Sequence, residues 1–258
     1  MGAFFETIPE TTRVWLLEQK VFWIASAPLS ASGHINVSPK GGSYFGIVDE
    51  KTFWYIDLTG SGIETTSHLH EPGNGRITVM FNAFDGPPKI VRLWGKGTVL
   101  EYCTPDFNSF VATHSVKTIP GTRSIIRVDI HQVGTSCGFS MPKYDFREFR
   151  PTLNDFFEKR VAAEEAGDKK NGIENYWAYK NQLSMDGLPG MQRGLVTAQK
   201  EKVKPITKMV GPAAPTMPRV VAVNSNGVKP FFVFIIAFVC FLLGQRSATL
   251  DARNLIAI

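Results

Sequence analysis

Apolar and polar positions alternate over short runs through the first 140 residues, as is typical of half-buried β-strands. The pattern is clearest over 76–100, where Ile77, Val79 and Phe81 alternate with polar neighbours and a second apolar run begins at Ile90. An Asp-Gly-Pro-Pro turn separates the two runs, and its prolines keep the chain extended rather than helical. This stretch therefore predicts a long β-hairpin inside a larger sheet.

Other short runs indicate further strands. Apolar, β-branched or aromatic residues predict strands at 21–27, 34–38, 44–48, 52–58 and 124–133. Brief helices are predicted over about 10–20, with capping-box spacing from Thr7 to Glu10, and over 105–113. The Gly95-Lys96-Gly97 step predicts a bend of the kind found at a barrel corner. Short strands joined mostly by tight turns favour a mainly β fold with added helices, built as an antiparallel barrel.

The composition changes after about residue 150, so we expect four parts. The barrel domain should cover 1–150, and residues 151–190 should form a helical extension that packs on the barrel or on a partner subunit. A proline-rich, disordered linker is predicted over 191–229, and an apolar carboxy-terminal segment over 230–258.

The apolar run at 231–244 raises the question of a membrane. It holds fourteen residues, whereas a spanning helix needs about 20. Three alternatives stay open: a tail anchor, an interfacial or subunit-packed helix, or an artefact of gene prediction. We expect a cytoplasmic protein that is membrane-associated only if this run is an anchor.

Charge and cysteine content narrow the function classes. The net charge of +5 at pH 7 is spread thinly along the chain, so a nucleic-acid partner is not expected. Cys103, Cys137 and Cys240 are far apart, which argues against a disulfide framework or a zinc site and fits a reducing compartment. His68 and His70 have no third ligand near them in sequence, so we expect no metal.

A turn rich in glycine and hydroxyl groups, Thr59-Gly60-Ser61-Gly62, follows the predicted strand at 52–58 and precedes a helix-like stretch. Free backbone N–H groups in such a turn are suited to holding a phosphate. The same turn is also common as simple chain punctuation, and it matches neither a P-loop nor a dinucleotide fingerprint. Both interpretations stay open on the residues alone.

Four ordered motifs carry a family resemblance: HINVSPKGG, FWYIDLTGSG, GRITVMFNAFDGPPKIVRLWGKG and TSCGFSMP. Over about residues 5–142 the chain resembles the pyridoxamine 5′-phosphate oxidase-like flavoproteins, the FMN-binding split barrels. The resemblance implies an antiparallel split β-barrel and a homodimer with FMN at the subunit interface. It also implies two groups of cofactor-binding residues: Asn36, Val37, Ser38 and Lys40 at the edge of the flavin ring, and Thr59, Gly60, Ser61 and Gly62 at the phosphate. Lys40 and Arg76 are further candidates as point charges for that phosphate.

The chain departs from the oxidase pattern at several positions. The resemblance leads one to expect an arginine where Ile35 stands, an Arg-Lys pair at Gly62-Ile63 and a glutamine at Ile90. The carboxy-terminal arginine-rich substrate motif is also missing. We therefore do not expect true pyridoxamine 5′-phosphate oxidase activity.

The resemblance favours an FMN-dependent oxidoreductase acting on a small molecule whose identity the sequence leaves open. No catalytic residue is assigned, because a flavin enzyme needs mainly orientation and hydrogen bonds near the ring. Two alternatives stay open: a non-catalytic module that binds flavin, deazaflavin or haem, and a membrane-tethered scaffold.

Overall fold

The computed structural model describes residues 2–212 and residue 214. The described strands are β1 (Ala3–Phe5), β2 (Val21–Ser26), β3 (Asn36–Gly41), β4 (Phe45–Asp49), β5 (Thr52–Leu58), β6 (Arg76–Asn82), β7 (Ile90–Glu101) and β8 (Thr122–Ser136). The helices are α1 (Glu10–Glu18), α2 (Glu64–His70), α3 (Pro105–His114), α4 (Thr152–Glu165), α5 (Ile173–Tyr176) and α6 (Gln192–Glu201). A π-helical turn, Trp177–Asn181, continues α5.

One eight-stranded sheet holds the fold together. Its order is β3-β2-β6-β7-β8-β5-β4, with β1 added beside β8, and every pair is antiparallel. The sheet curls on itself. This is seen from the ring of Phe22 on β2, which lies 5.1 Å from the ring of Phe45 on β4, although β4 is at the far end of the strand order. Phe53 and Phe81 complete the aromatic centre of this half-barrel. The predicted mainly β, antiparallel split-barrel fold is confirmed.

The central hairpin is present as predicted. Strand β6 pairs with β7 from Arg76–Lys96 to Asn82–Ile90. The register with β8 shifts between Trp94 and Gly95, so the strand bends at the predicted position. A Cβ at Gly95 would lie 2.6 Å from the Asp129 carbonyl oxygen, which explains why glycine is needed there.

Two local predictions near the amino terminus are wrong. Strand β3 continues through Pro39 to Gly41, past the predicted end at residue 38. It is an edge strand of the sheet, so a proline here removes no hydrogen-bond donor that a neighbouring strand needs. The capping box at Thr7 does not form, because α1 begins after Pro9 without a side-chain cap. The Ile8 N–H instead bonds the Glu50 carbonyl at 2.8 Å, which fixes the entry to the helix.

The prediction of a disordered linker from residue 191 is wrong for 192–201, which form α6. The Glu101 carboxylate accepts the N–H groups of Gln192 and Arg193 at 2.8 and 3.3 Å, and so caps the helix from 91 residues upstream. Such a cap has no local sequence signal. The apolar run at 231–244 lies outside the described residues, and the domain boundaries remain a prediction. Among the helices of 2–212, none has the length and apolarity to cross a bilayer.

Candidate functional site

The loop at 59–62 connects β5 to α2, and its first residue, Thr59, is held by hydrogen bonds to other parts of the fold. Thr59 is buried, and both its N–H and its hydroxyl donate to the Gly121 carbonyl, at 2.8 and 2.7 Å. The indole N–H of Trp177 in turn donates to the Thr59 hydroxyl oxygen at 2.9 Å. Thr59 therefore anchors the loop to the residue that precedes β8 and to the π-helical turn.

Arg123 and Asn181 hold the carbonyls of the same loop. The Arg123 guanidinium donates from Nη1 to the Gly62 oxygen at 2.7 Å and to the Gly60 oxygen at 3.4 Å. The Asn181 amide donates to the Gly60 oxygen at 2.9 Å. In a trans peptide the carbonyl of one residue and the N–H of the next point in opposite directions. The bonds to the Gly60 carbonyl therefore turn the Ser61 N–H outward, and the bond to the Gly62 carbonyl does the same for the Ile63 N–H.

Ser61 and Gly62 are exposed, and Gly60 is half-buried. In the described part of the chain, no group accepts a hydrogen bond from the N–H of Gly60, Ser61 or Gly62. The loop therefore presents the Ser61 N–H and hydroxyl on an accessible surface, next to two further amides that have no acceptor among the described residues.

The Glu64 carboxylate lies against the end of this loop. Its Oε2 accepts the Ile63 N–H at 2.9 Å and its Oε1 accepts the Met185 N–H at 3.2 Å. The ammonium of Lys208 lies 3.7 Å from Oε1, and both side chains are about 85% buried, with exposed fractions of 15% for Glu64 and 14% for Lys208. Burial lowers the pKa of Lys208 to about 8, although the charge of Glu64 opposes the shift.

Beneath the loop, Asp57 joins two cations. Its carboxylate is 1% exposed and accepts from Lys40 Nζ at 2.8 Å and from Arg123 Nε at 2.7 Å. Burial by itself would raise the pKa of Asp57, but the charges of Arg123 and Lys40 outweigh burial and hold it well below its usual range. The Lys40 ammonium is thus paired with Asp57. Lys40, Arg123 and Asp57 together carry a net charge of +1.

The predicted residues of β3 divide between its two faces. Asn36, Ser38 and Lys40 share one face: the Asn36 amide donates to Thr65 on α2 at 3.0 Å, and the Ser38 hydroxyl donates to Asn36 at 3.2 Å. Val37 lies on the opposite face and is 61% exposed. The structure therefore brings the polar residues of β3 to α2 and β5, but turns Val37 away from them.

Arg76 does not join the loop. At the start of β6, its guanidinium donates to the Pro28 carbonyl at 3.0 Å and to Asn74 at 3.2 Å. None of the hydrogen bonds that it makes to described residues reaches 59–62. Its geometry is that of a residue that fixes the loop after β2.

Sequence reasoning missed most of the supporting residues around the loop: Asp57, Glu64, Arg123, Trp177, Asn181 and Lys208. One had a signal, since Asp57 is a carboxylate inside the apolar run FWYIDL. The others are distant in sequence from 59–62 or look like ordinary helix and strand residues. Nothing in the neighbouring sequence distinguishes them from residues without a role in the site.

The histidines make structural contacts. His68 is buried, and its Nδ1 lies 2.9 Å from the Ser26 hydroxyl; burial lowers the pKa of His68. His70 bonds the Gly190 carbonyl through Nδ1 at 3.1 Å. Within residues 2–212 and 214, no three His, Cys, Asp or Glu side chains come together as a metal site.

Comparison with known proteins found a relative that is similar over most of the chain. No family model matches the chain. It is 37% identical over 209 residues to the pyridoxamine 5′-phosphate oxidase family protein ustO of Aspergillus flavus, covering 76% of this chain and 80% of that protein.

The solved structures that resemble this chain are more distant in sequence. HupZ of Group A Streptococcus is 15% identical with a TM-score of 0.38, covering 48% of this chain and 91% of HupZ. An FAD-binding protein from Mesorhizobium loti is 14% identical with a TM-score of 0.34, covering 52% of this chain and 96% of its own. The FAD binding protein of Mycobacterium smegmatis is 12% identical with a TM-score of 0.35, covering 51% and 97%.

Proposed function

Because this chain belongs to the pyridoxamine 5′-phosphate oxidase family, we propose that it is a flavin-dependent oxidoreductase that binds FMN and acts on a small molecule. The observation that carries the proposal is the surface of the 59–62 loop. Arg123 and Asn181 hold its carbonyls inward, which leaves amide donors and the Ser61 hydroxyl for an anion.

The residues present fit a phosphate group. Oriented N–H groups bind an anion without requiring a side-chain cation at the same point. The net charge of +1 from Lys40, Arg123 and Asp57 lies directly below the loop and favours an anion above it. The absence of an Arg-Lys pair at Gly62-Ile63 is therefore compatible with phosphate binding.

The polar face of β3 is the proposed support for the flavin ring, through Asn36 and Ser38. Both side chains are half-buried and already hydrogen-bonded, so they are held in place before a ligand arrives. When bound, a flavin supplies a hydride acceptor at its N5 atom. The protein's part is to bind the phosphate, orient the ring and exclude competing solvent. Pyridoxamine 5′-phosphate itself is not the proposed substrate, given the departures at Ile35 and Gly62-Ile63.

A homodimer with the flavin at the subunit interface is part of this proposal. Edge strand β3 supports it, since Val37 on its outer face is 61% exposed and Ile35, directly before the strand, is 75% exposed. Light scattering should give twice the mass of the chain. Val37→Glu should lower the dimer fraction, whereas Val196→Glu, at a 57% exposed position on α6, should leave it unchanged. A monomeric wild-type protein would contradict the dimer. A cytoplasmic location remains a prediction from the cysteine pattern.

The test of the function is the visible spectrum of the full-length protein purified from cells, followed by heat release and chromatography of any chromophore. The proposal predicts a flavin absorbance in the blue and release of FMN. Ser61→Ala should weaken FMN binding about three- to tenfold, the equivalent of roughly one hydrogen bond. Ser140→Ala, at an exposed position away from the loop, is the matched control. A colourless protein that also fails to bind added FMN would overturn the proposal.

A further inference from the structure

The contact between Glu64 and Lys208 is not explained by the fold alone. The Lys208 ammonium has three donors, yet its Nζ is buried and makes no hydrogen bond within the described part of the chain. Its nearest partner is Glu64 Oε1 at 3.7 Å, beyond hydrogen-bonding distance. A buried charge held by one long ion pair is costly, because desolvation is only partly offset.

The Glu64 carboxylate lies against the end of the loop, and this position depends on the glycine at 62. A Cβ at position 62 would lie 2.7 Å from Glu64 Oε2, so a side chain there would push the carboxylate away. Glycine at position 62 thus lets the Glu64 carboxylate lie against the end of the loop and accept the Ile63 N–H. The carboxylate is therefore an anion of this chain that binds the amide directly after the 60–62 donors.

The cations around that position come from distant parts of the chain. Gly62-Ile63 offers none, but Arg123 reaches the loop from β8 and Lys208 reaches Glu64 from the segment after α6. Lys204, four residues earlier in that segment, is exposed. Lys208 therefore differs from the neighbouring solvated lysines in both burial and contact.

We propose that Lys208 belongs to the anion site of the 59–62 loop, and that the Glu64 carboxylate is an internal occupant which a phosphate monoester displaces. This inference rests on the proposed FMN site. In it, Glu64 and Lys208 determine how strongly that site prefers a ligand with a phosphate group. A phosphate monoester carries more negative charge than a carboxylate and has three acceptor oxygens. It satisfies the Lys208 ammonium and the freed amides together, which one carboxylate cannot do.

The first test compares the dissociation constants of FMN and riboflavin, which differ in the phosphate group, for the full-length protein. Glu64→Gln should strengthen FMN binding because the competing charge is gone, and Lys208→Met should weaken it about tenfold, as expected for one charge-assisted hydrogen bond. Riboflavin affinity should stay within about twofold in both. Glu158→Gln and Lys204→Met, at exposed positions, are the matched controls. Lys208→Arg, which keeps the charge, should retain most of the preference for FMN.

The second test uses inorganic phosphate and does not depend on flavin. Phosphate should raise the melting temperature of the wild type, more so for Glu64→Gln and less for Lys208→Met. Equal changes in FMN and riboflavin affinity, or phosphate responses of both variants equal to that of the wild type, would overturn the inference. If the wild type binds neither flavin but phosphate stabilises it in this pattern, the anion site stands and the FMN proposal fails.

Discussion

Replacing Asp57 with asparagine removes the carboxylate that lies between Lys40 and Arg123. Lys40 is 21% exposed and can turn toward water, but the Arg123 side chain is 6% exposed and would keep its charge in the interior without a counter-ion. Removing one partner of a buried ion pair costs about 3–5 kcal/mol. We therefore expect Asp57→Asn to lower the free energy of unfolding by roughly this amount, and to loosen the 59–62 loop that Arg123 holds.

Urea unfolding at pH 7, followed by tryptophan fluorescence, measures this loss. Asp129→Asn is the matched control, because Asp129 also pairs with an arginine, Arg127, at 3.1 Å, but the two are 54% and 40% exposed. An exposed pair contributes at most about 1 kcal/mol. If Asp57→Asn unfolds within about 1 kcal/mol of the wild type, the buried triad does not stabilise the fold as argued.

The pH dependence gives the same prediction a second readout. The pKa of Asp57 is lower in the folded state than its unfolded value of 3.8, so its contribution is complete above that value and is lost as the pH falls below it. The stability gap between wild type and Asp57→Asn should therefore be constant between pH 6 and 7 and narrow below about pH 4. A gap that stays constant through the acid range would refute the reasoning.

Three further predictions follow from single contacts. Trp177→Phe removes the indole donor to the buried Thr59 hydroxyl and should cost about 1–3 kcal/mol in urea unfolding, whereas an unchanged midpoint would mean that this bond does not anchor the loop. Gly194→Ala should lower the melting temperature, because the new Cβ would lie 2.9 Å from the Trp177 carbonyl oxygen. This clash should outweigh the better helix propensity of alanine. A higher melting temperature would show that α6 can shift away from Trp177. The pKa of Lys208 is about 8 in the folded chain and 10.5 in the unfolded chain, so the unfolded state binds more protons between these two values. The free energy of unfolding of the wild type, relative to that of Lys208→Met, should therefore rise from pH 7 to pH 10 by at most about 3 kcal/mol. A difference that stays constant over this range would contradict the burial of this charge.

The parts of the fold that were predictable are those in which local pattern and tertiary environment agree. Along β6, Ile77, Val79 and Phe81 alternate because one face of the strand is buried, and that alternation is visible in the sequence. The predicted strand at 34–38 stops before Pro39, because only a position at the edge of the sheet makes proline acceptable in a strand. Helix α6 was missed because Glu101, far away in sequence, caps it.

The candidate site shows the same division. The Gly-Ser-Gly turn could be recognised from its composition, since glycine and serine next to a strand are local features. Its orientation depends on Arg123 and Asn181, which contact the loop only after the barrel has closed and the carboxy-terminal helices have packed. Glu64 and Lys208 have no sequence neighbours that distinguish them from exposed charges. Their roles follow from contacts that no short sequence window contains.

An experimental structure of the full-length protein crystallised with FMN tests the central claim most directly, because it locates the phosphate. The account predicts phosphate oxygens about 2.7–3.2 Å from the N–H groups of the 60–62 segment, with the Glu64 carboxylate moved off the Ile63 amide. A flavin bound elsewhere, or a loop that makes no contact with the phosphate at saturating FMN, would contradict it.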